Sequence, residues 1–103
     1  MHGPPAGPGA NVIRRLSSFP NPSNPTATIE YELATAAEVR IDIYDVAGRF
    51  VRTLEEGRVR TAGVHRVTWD GTNRSGEGVA SGVYFYRLRA GAEIRTSRLV
   101  VLK

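Results

Sequence analysis

The chain has 103 residues, of which 41% are hydrophobic, and it carries 14 basic against 10 acidic side chains. That length suits a single domain with one core, and that hydrophobic content argues against wholesale disorder. The absence of cysteine excludes a disulfide framework and thiolate chemistry, the arginines form no basic stripe that would suit nucleic acid, and no apolar run is long enough to predict a membrane span.

The N-terminal part predicts little regular structure. Residues 1–18 are expected to form a flexible linker or tag with a possible first strand at 11–18, and the Gly- and Pro-rich start lacks the apolar core of a signal peptide. Between Phe19 and Pro25 three prolines remove backbone donors and fix φ. This stretch therefore predicts a rigid connector, and the domain proper is expected to span 19–103.

Alternating apolar and polar residues predict β-strands along the rest of the chain. We expect strands at Thr26–Leu33, Glu38–Val46, Arg49–Glu55, Gly63–Trp69, Gly82–Ala90 and Glu93–Lys103, with loops at Glu56–Ala62 and Asp70–Ser81. Gly48 is available for a positive φ in a turn, and Trp69 is expected in the core. Six or seven strands in about 100 residues predict an all-β, immunoglobulin-like antiparallel β-sandwich.

No arrangement of residues predicts catalysis. His65 is the one histidine within a predicted strand, and no serine lies on a nucleophile elbow. Glu30 and Glu32 share what their neighbours predict to be a solvent-facing surface. The oxygen-rich stretch 70–77 departs from calcium-loop spacing, and Asx-turn chemistry explains its composition equally well. We expect no catalytic residues, no metal and no cofactor.

Five segments in order resemble the type A C-terminal sorting domains of type IX secretion. They are Phe19–Ile29 with its Pro20-Asn21-Pro22 signature, Ile43–Arg49, Gly63–Gly71, Val79–Leu88, and the closing run Arg98-Leu99-Val100-Val101-Leu102-Lys103. The pattern is also similar to the immunoglobulin-like domain of the flagellar hook-capping protein. The closing run begins with arginine where the sorting family has lysine.

The resemblance to sorting domains implies a module that directs a cargo protein through the outer membrane to the cell surface, by way of the periplasm. Its implied partners are the outer-membrane secretion machinery and a cargo domain upstream in the parent chain. Recognition would fall on Arg98, Leu99, Val100, Val101, Leu102 and Lys103. Pro20, Asn21, Pro22, Gly48, Trp69, Gly82 and Tyr84 would be structural signature residues.

Two other functions stay open. Leu99 to Leu102 are equally well explained as the last core strand, in which case the domain is a structural spacer or an assembly module, hook-cap-like or fibre-forming through its strand edges. A carbohydrate-binding sandwich would need exposed coplanar aromatic rings, and only Tyr44 is expected to point outward from a strand. We expect a monomer when the chain is isolated.

Overall fold

The computed structural model describes residues 12–103, so the predicted linker at 1–10 and the first residue of the predicted strand at 11–18 lie outside the described residues. Seven β-strands make up the regular structure of this part of the chain. They are β1 (Ile13–Phe19), β2 (Ala27–Leu33), β3 (Ala37–Asp45), β4 (Phe50–Arg60), β5 (Gly63–Trp69), β6 (Gly82–Ala90) and β7 (Glu93–Val101).

The strands form two antiparallel sheets. One sheet has three strands in the order β1-β2-β5, and the other has four in the order β4-β3-β6-β7. The prediction of an immunoglobulin-like sandwich is therefore confirmed. Residues 12–103 contain no helix long and apolar enough to cross a membrane.

Alternate residues of each strand meet between the sheets, because successive side chains in a strand point to opposite faces. The three-stranded sheet contributes Ile13, Ile29, Tyr31, Leu33 and Trp69, and the four-stranded sheet contributes Val39, Ile41, Ile43, Tyr84, Tyr86, Leu88, Leu99 and Val101. Each of these residues is buried. In β2, β3 and β6 the buried residues alternate with more exposed ones, and β6 lies inside its sheet between β3 and β7.

Several predicted strand ends shift by one or two residues, as where the strand predicted at Glu93–Lys103 ends at Val101, and two differences are larger. The loop predicted at Glu56–Ala62 is wrong, since β4 continues to Arg60 and its polar end pairs with Ala37–Val39. The backbone ladder forms there because an edge strand can carry polar side chains on its solvated surface. The first strand does form and reaches Phe19, so the sandwich takes in residues ahead of position 19.

Candidate functional site

The segment Pro20–Pro25, here called the proline segment, lies along the outer edge of β7. Ser23 donates its backbone N–H to the carbonyl oxygen of Val100 (2.8 Å) and accepts the N–H of Leu102 (2.8 Å). The amide oxygen of Asn21 accepts the N–H of Val100 (3.1 Å). The chain thus leaves the three-stranded sheet after β1 and forms a short parallel bridge to the four-stranded sheet, which caps the end of β7.

The structure separates the six closing residues into two groups. Leu99 and Val101 are fully buried and pack in the core. Arg98, Leu102 and Lys103 are exposed, and Val100 is half-buried. The backbone groups of Val100 and Leu102 that face away from β6 are already bonded to the proline segment. At these positions a receptor could therefore not pair with the edge of β7 without displacing the proline segment.

Lys103 lies against the loop between β5 and β6. Its backbone N–H donates to Ser81 Oγ (3.0 Å). Its ammonium group sits over Gly78, where an added Cβ would come within 2.7 Å of Nζ. Lys103 therefore contacts the loop between β5 and β6, and the absence of a side chain at Gly78 leaves space for its ammonium group.

Trp69 and Tyr84 pack together in the core, next to the loop 70–81. Their rings meet edge to face with centroids 5.4 Å apart. Trp69 Nε1 donates to the carbonyl of Thr72 (2.9 Å), and the Tyr84 hydroxyl donates to the carbonyl of Ala80 (2.6 Å). Burial raises the pKa of Tyr84, with the negative charge of Asp45 adding to it. Both aromatic side chains therefore anchor the loop 70–81 while filling space.

The signature glycines and prolines have structural positions. Gly48 adopts φ +84° in the turn that follows β3, as its sequence context predicts. Asp45 accepts the N–H groups of Ala47 and Arg49 in that turn, and the Arg49 N–H is the main reason its pKa is lowered. Gly82 begins β6 opposite Val101, and Pro20 and Pro22 flank Asn21 in exposed positions.

The oxygen-rich stretch 70–77 is held by its own hydrogen bonds. Asp70 accepts the N–H and the hydroxyl of Thr72, and this hydroxyl is the main cause of its lowered pKa. Asn73 Oδ1 accepts the N–H groups of Ser75 and Glu77. These are Asx-turn contacts. Within residues 12–103, no three His, Asp or Glu side chains are grouped to hold a metal.

A buried polar cluster joins β2 of one sheet to β4 of the other. The Tyr31 hydroxyl from β2 donates to Glu55 Oε1 from β4 (2.8 Å), and Glu55 is also paired with Arg60. Burial and the Glu55 carboxylate raise the pKa of Tyr31 well above its ordinary value. His65 packs on the Tyr31 ring at 5.4 Å and contacts the carbonyl of Thr61 (2.7 Å). This cluster ties the two sheets together across β4 and β5.

The outer face of the four-stranded sheet combines aromatic and arginine side chains, and we call it the outer face below. It carries Glu38, Arg40, Asp42, Tyr44, Val83, Phe85, Arg87, Arg89, Ile94, Thr96, Arg98 and Val100, which alternate with the core residues of β3, β6 and β7. Tyr44 does point outward, but the expectation that it alone does so is wrong, since Phe85 shares the outer face and Phe50 is 41% exposed. The rings of Tyr44 and Phe50 meet edge to face at 6.0 Å. The guanidinium of Arg87 lies 4.9 Å from the centre of the Tyr44 ring and donates to its hydroxyl.

Sequence reasoning missed two residues that organise these surfaces. Asp42, a polar position in the alternating pattern of β3, is only 3% exposed. It accepts from Arg40 Nε (3.0 Å), two residues earlier on β3, and from Thr53 Oγ1 (2.6 Å), which the pairing of β3 with β4 places opposite Asp42. Ser23 was unremarkable among the prolines, yet it is fully buried against β7. Both roles depend on contacts that local periodicity does not encode.

Known proteins match most of this chain. Residues 21–94 match the family described as the FlgD Ig-like domain. The basal-body rod modification protein FlgD of Salmonella typhimurium is 38% identical over 78 residues, which are 75% of this chain and 33% of that protein. The chain thus spans about a third of the length of the curated relatives it matches.

Solved structures share the fold at lower identity. Dimeric latent PorU from Porphyromonas gingivalis superposes with a TM-score of 0.69 at 23% identity, over 85% of this chain and 9% of that one. PorZ of that organism, an essential surface component of its type IX secretion system, gives 0.55 at 20% over 85% and 11%. FlgD from Pseudomonas aeruginosa gives 0.62 at 20% over 90% and 77%.

Proposed function

The chain belongs to the FlgD Ig-like domain family, and on that premise we propose that it is a non-catalytic domain through which its parent protein takes part in a larger assembly. The match over residues 21–94 carries this proposal. A relative that modifies the basal-body rod, by its name, acts within a multi-protein structure. The function favoured is therefore assembly, and the sorting interpretation takes second place.

The hydrogen bonds already made at the edges of the four-stranded sheet indicate which surfaces an assembly would use. The proline segment bonds to the end of β7, and on the other side Arg74 donates its N–H to the carbonyl of Val51 in β4 (3.0 Å). Exposed strand edges are what polymerising sheets require. Because parts of both outer edges of the four-stranded sheet are already bonded, contacts through its side chains fit better than fibre formation through strand edges.

Replacement of the domain in the full-length parent protein tests the proposal. One strain lacks residues 12–103, and a second carries an unrelated immunoglobulin-like domain of the same size in their place. We expect both strains to export the parent protein but to lose its assembly into the larger structure, seen by electron microscopy. Normal assembly in the strain with the unrelated domain would reduce the role to a spacer, and normal assembly in both would refute the proposal.

A sorting role is the second candidate, favoured by one contact. The Pro20-Asn21-Pro22 signature and the closing run, which resemble separate parts of the sorting family, touch each other through Asn21, Ser23 and Val100. Recognition would then read the exposed side chains of Arg98, Leu102 and Lys103 on a capped strand, with delivery to the cell surface. Loss of export in the strain with the unrelated domain would support this candidate over assembly.

A further inference from the structure

We propose that the outer face binds an acidic segment of a different protein, and this inference rests on the assembly function proposed above. Three rows of side chains cross the strands there. Tyr44 and Phe85 align with Arg98, Asp42 and Arg87 align with Thr96, and Arg40 and Arg89 align with Ile94. An arginine therefore occurs in every row, next to an aromatic or aliphatic neighbour in two of them.

The arginines of the outer face differ in whether they already form ion pairs within the domain. Arg40 is committed to Asp42 and Glu56, with N–O distances of 3.0 and 3.3 Å. Arg87 shares the Asp42 carboxylate at 3.7 Å. Among residues 12–103, neither Arg89 nor Arg98 forms an ion pair. Both are exposed, so these two guanidinium groups are open to carboxylates from outside.

Apolar surface lies between these charges. Val83, Phe85 and Val100 are half-buried, and Ile94 is 51% exposed. Protein interfaces are enriched in aromatic residues and arginine, which combine apolar contact area with directed hydrogen bonds. A shallow groove of about 310 Å³ lies beside Tyr44, Phe85 and Thr96, so part of this apolar surface is concave. The face thus suits a protein segment that alternates acidic and apolar side chains.

Charge argues against the other occupants. Two copies of this face would bring Arg89 and Arg98 of one molecule against arginines of the other, which is unfavourable. A nucleic acid backbone calls for a dense series of phosphate contacts, whereas here Phe85 and Ile94 interrupt the arginines and Asp42 lies among them. An acidic protein segment could pair its carboxylates with Arg89 and Arg98 and pack its apolar side chains against Phe85 and Ile94.

Photo-crosslinking in the full-length parent protein tests the inference. Thr96 is exposed between Arg89 and Arg98, and benzoylphenylalanine at position 96 would be activated in living cells, with the cross-linked peptide sequenced by mass spectrometry. We expect a peptide rich in Asp and Glu from another protein. The double variant Arg89→Glu/Arg98→Glu should lower its yield by about tenfold, because two exposed ion pairs are lost and like charges then face each other.

Arg14→Glu is the matched control, because Arg14 is an exposed arginine on β1 of the other sheet, and it should leave the yield unchanged. Reversal of the acidic residues in the identified peptide should restore the yield in the double variant. A peptide from a second copy, a nucleic acid adduct, the absence of any adduct, or an equal yield in the double variant would each overturn the inference. Assembly that needs the domain but tolerates the double variant would overturn the inference and leave the proposed function standing.

Discussion

Ser23 and Val101 form a parallel β-bridge that joins the proline segment to the last strand. Ser23 is fully buried there, and its own backbone N–H and carbonyl bond to Val100 and Leu102 on the side of β7 that faces away from β6. An edge that would otherwise be open to another chain is thereby occupied within the molecule.

Asn21→Ala should loosen the end of β7. The substitution removes the acceptor of the Val100 N–H, and the loss of one such hydrogen bond costs about 0.5–1.5 kcal/mol. Hydrogen exchange of the Val100 amide should accelerate. Asn24→Ala is the control, since Asn24 is exposed in the same segment and its exchange profile should match the wild type. Equal exchange in both variants would contradict the role of the Asn21 side chain.

Trp69→Ala should lower the free energy of unfolding by about 3–5 kcal/mol, the range for emptying a large aromatic site. Trp69 is fully buried against Tyr84. Trp69→Phe keeps part of the volume but loses the hydrogen bond to Thr72, so it should cost less. Denaturant titration of the three proteins measures both losses, and a loss below ~1 kcal/mol for the alanine variant would be inconsistent with a core position.

Arg60→Met should destabilise more than Tyr31→Phe. Removal of Arg60 leaves the Glu55 carboxylate buried without its cation, a change that costs about 3–5 kcal/mol at fully buried sites and less here because Arg60 is a quarter exposed. Tyr31→Phe removes one donor to the same carboxylate but keeps its cation, so it should cost less, about 1.5 kcal/mol, the lower end for a hydrogen bond to a charged group. Thermal and denaturant unfolding would rank the two, and the reverse order would show that Glu55 is solvated without Arg60.

Asp45 should contribute stability that depends on pH. Its pKa is lowered in the folded state, chiefly by the Arg49 N–H, so its contribution is complete above the unfolded value of about 3.9 and is lost as pH falls through the folded pKa. The stability difference between wild type and Asp45→Asn should therefore shrink on acidification. A carboxyl titration by NMR with a midpoint at or above about 3.9 would exclude this.

Lys103→Ala separates assembly from sorting. Lys103 is exposed and rests over Gly78, so the melting temperature should stay the same within the ~0.5 kcal/mol usual for surface substitutions. Under the assembly function, export of a reporter fused upstream should also stay the same, with Arg98→Ala as a companion. Strongly reduced export of a variant with unchanged melting temperature would favour the sorting candidate.

The parts of the fold predicted from the sequence are those in which local alternation reflects one buried face. This holds for strands β2, β3, β5 and β6. In β2, for example, Ile29, Tyr31 and Leu33 stand at every second position and are all buried. The second half of β4 was not predicted, because an edge strand held by backbone pairing can carry Glu56 and Arg58 in solvent.

The candidate site was predicted less well than the fold. Exposure of Arg98 and Lys103 is consistent with their positions near a strand end, and the recognition role of the closing run stays a prediction. The capping of Val100 by Asn21 was not predicted, since these residues are 79 positions apart in sequence. Which arginines of the outer face are ion-paired was not predicted either, since the pairing of Arg40 with Glu56 joins two different strands.

The bridge from the proline segment to β7 also has a consequence for the time course of folding. Residues 21–23 can reach their partners only after residues 100–102 have emerged from the ribosome, and β1 likewise contacts β7. Contacts so distant in sequence delay closure, because the entropy of a long loop must be overcome first. The edge of β6 that β7 covers therefore has no partner from this chain until residues 93–101 have been synthesised.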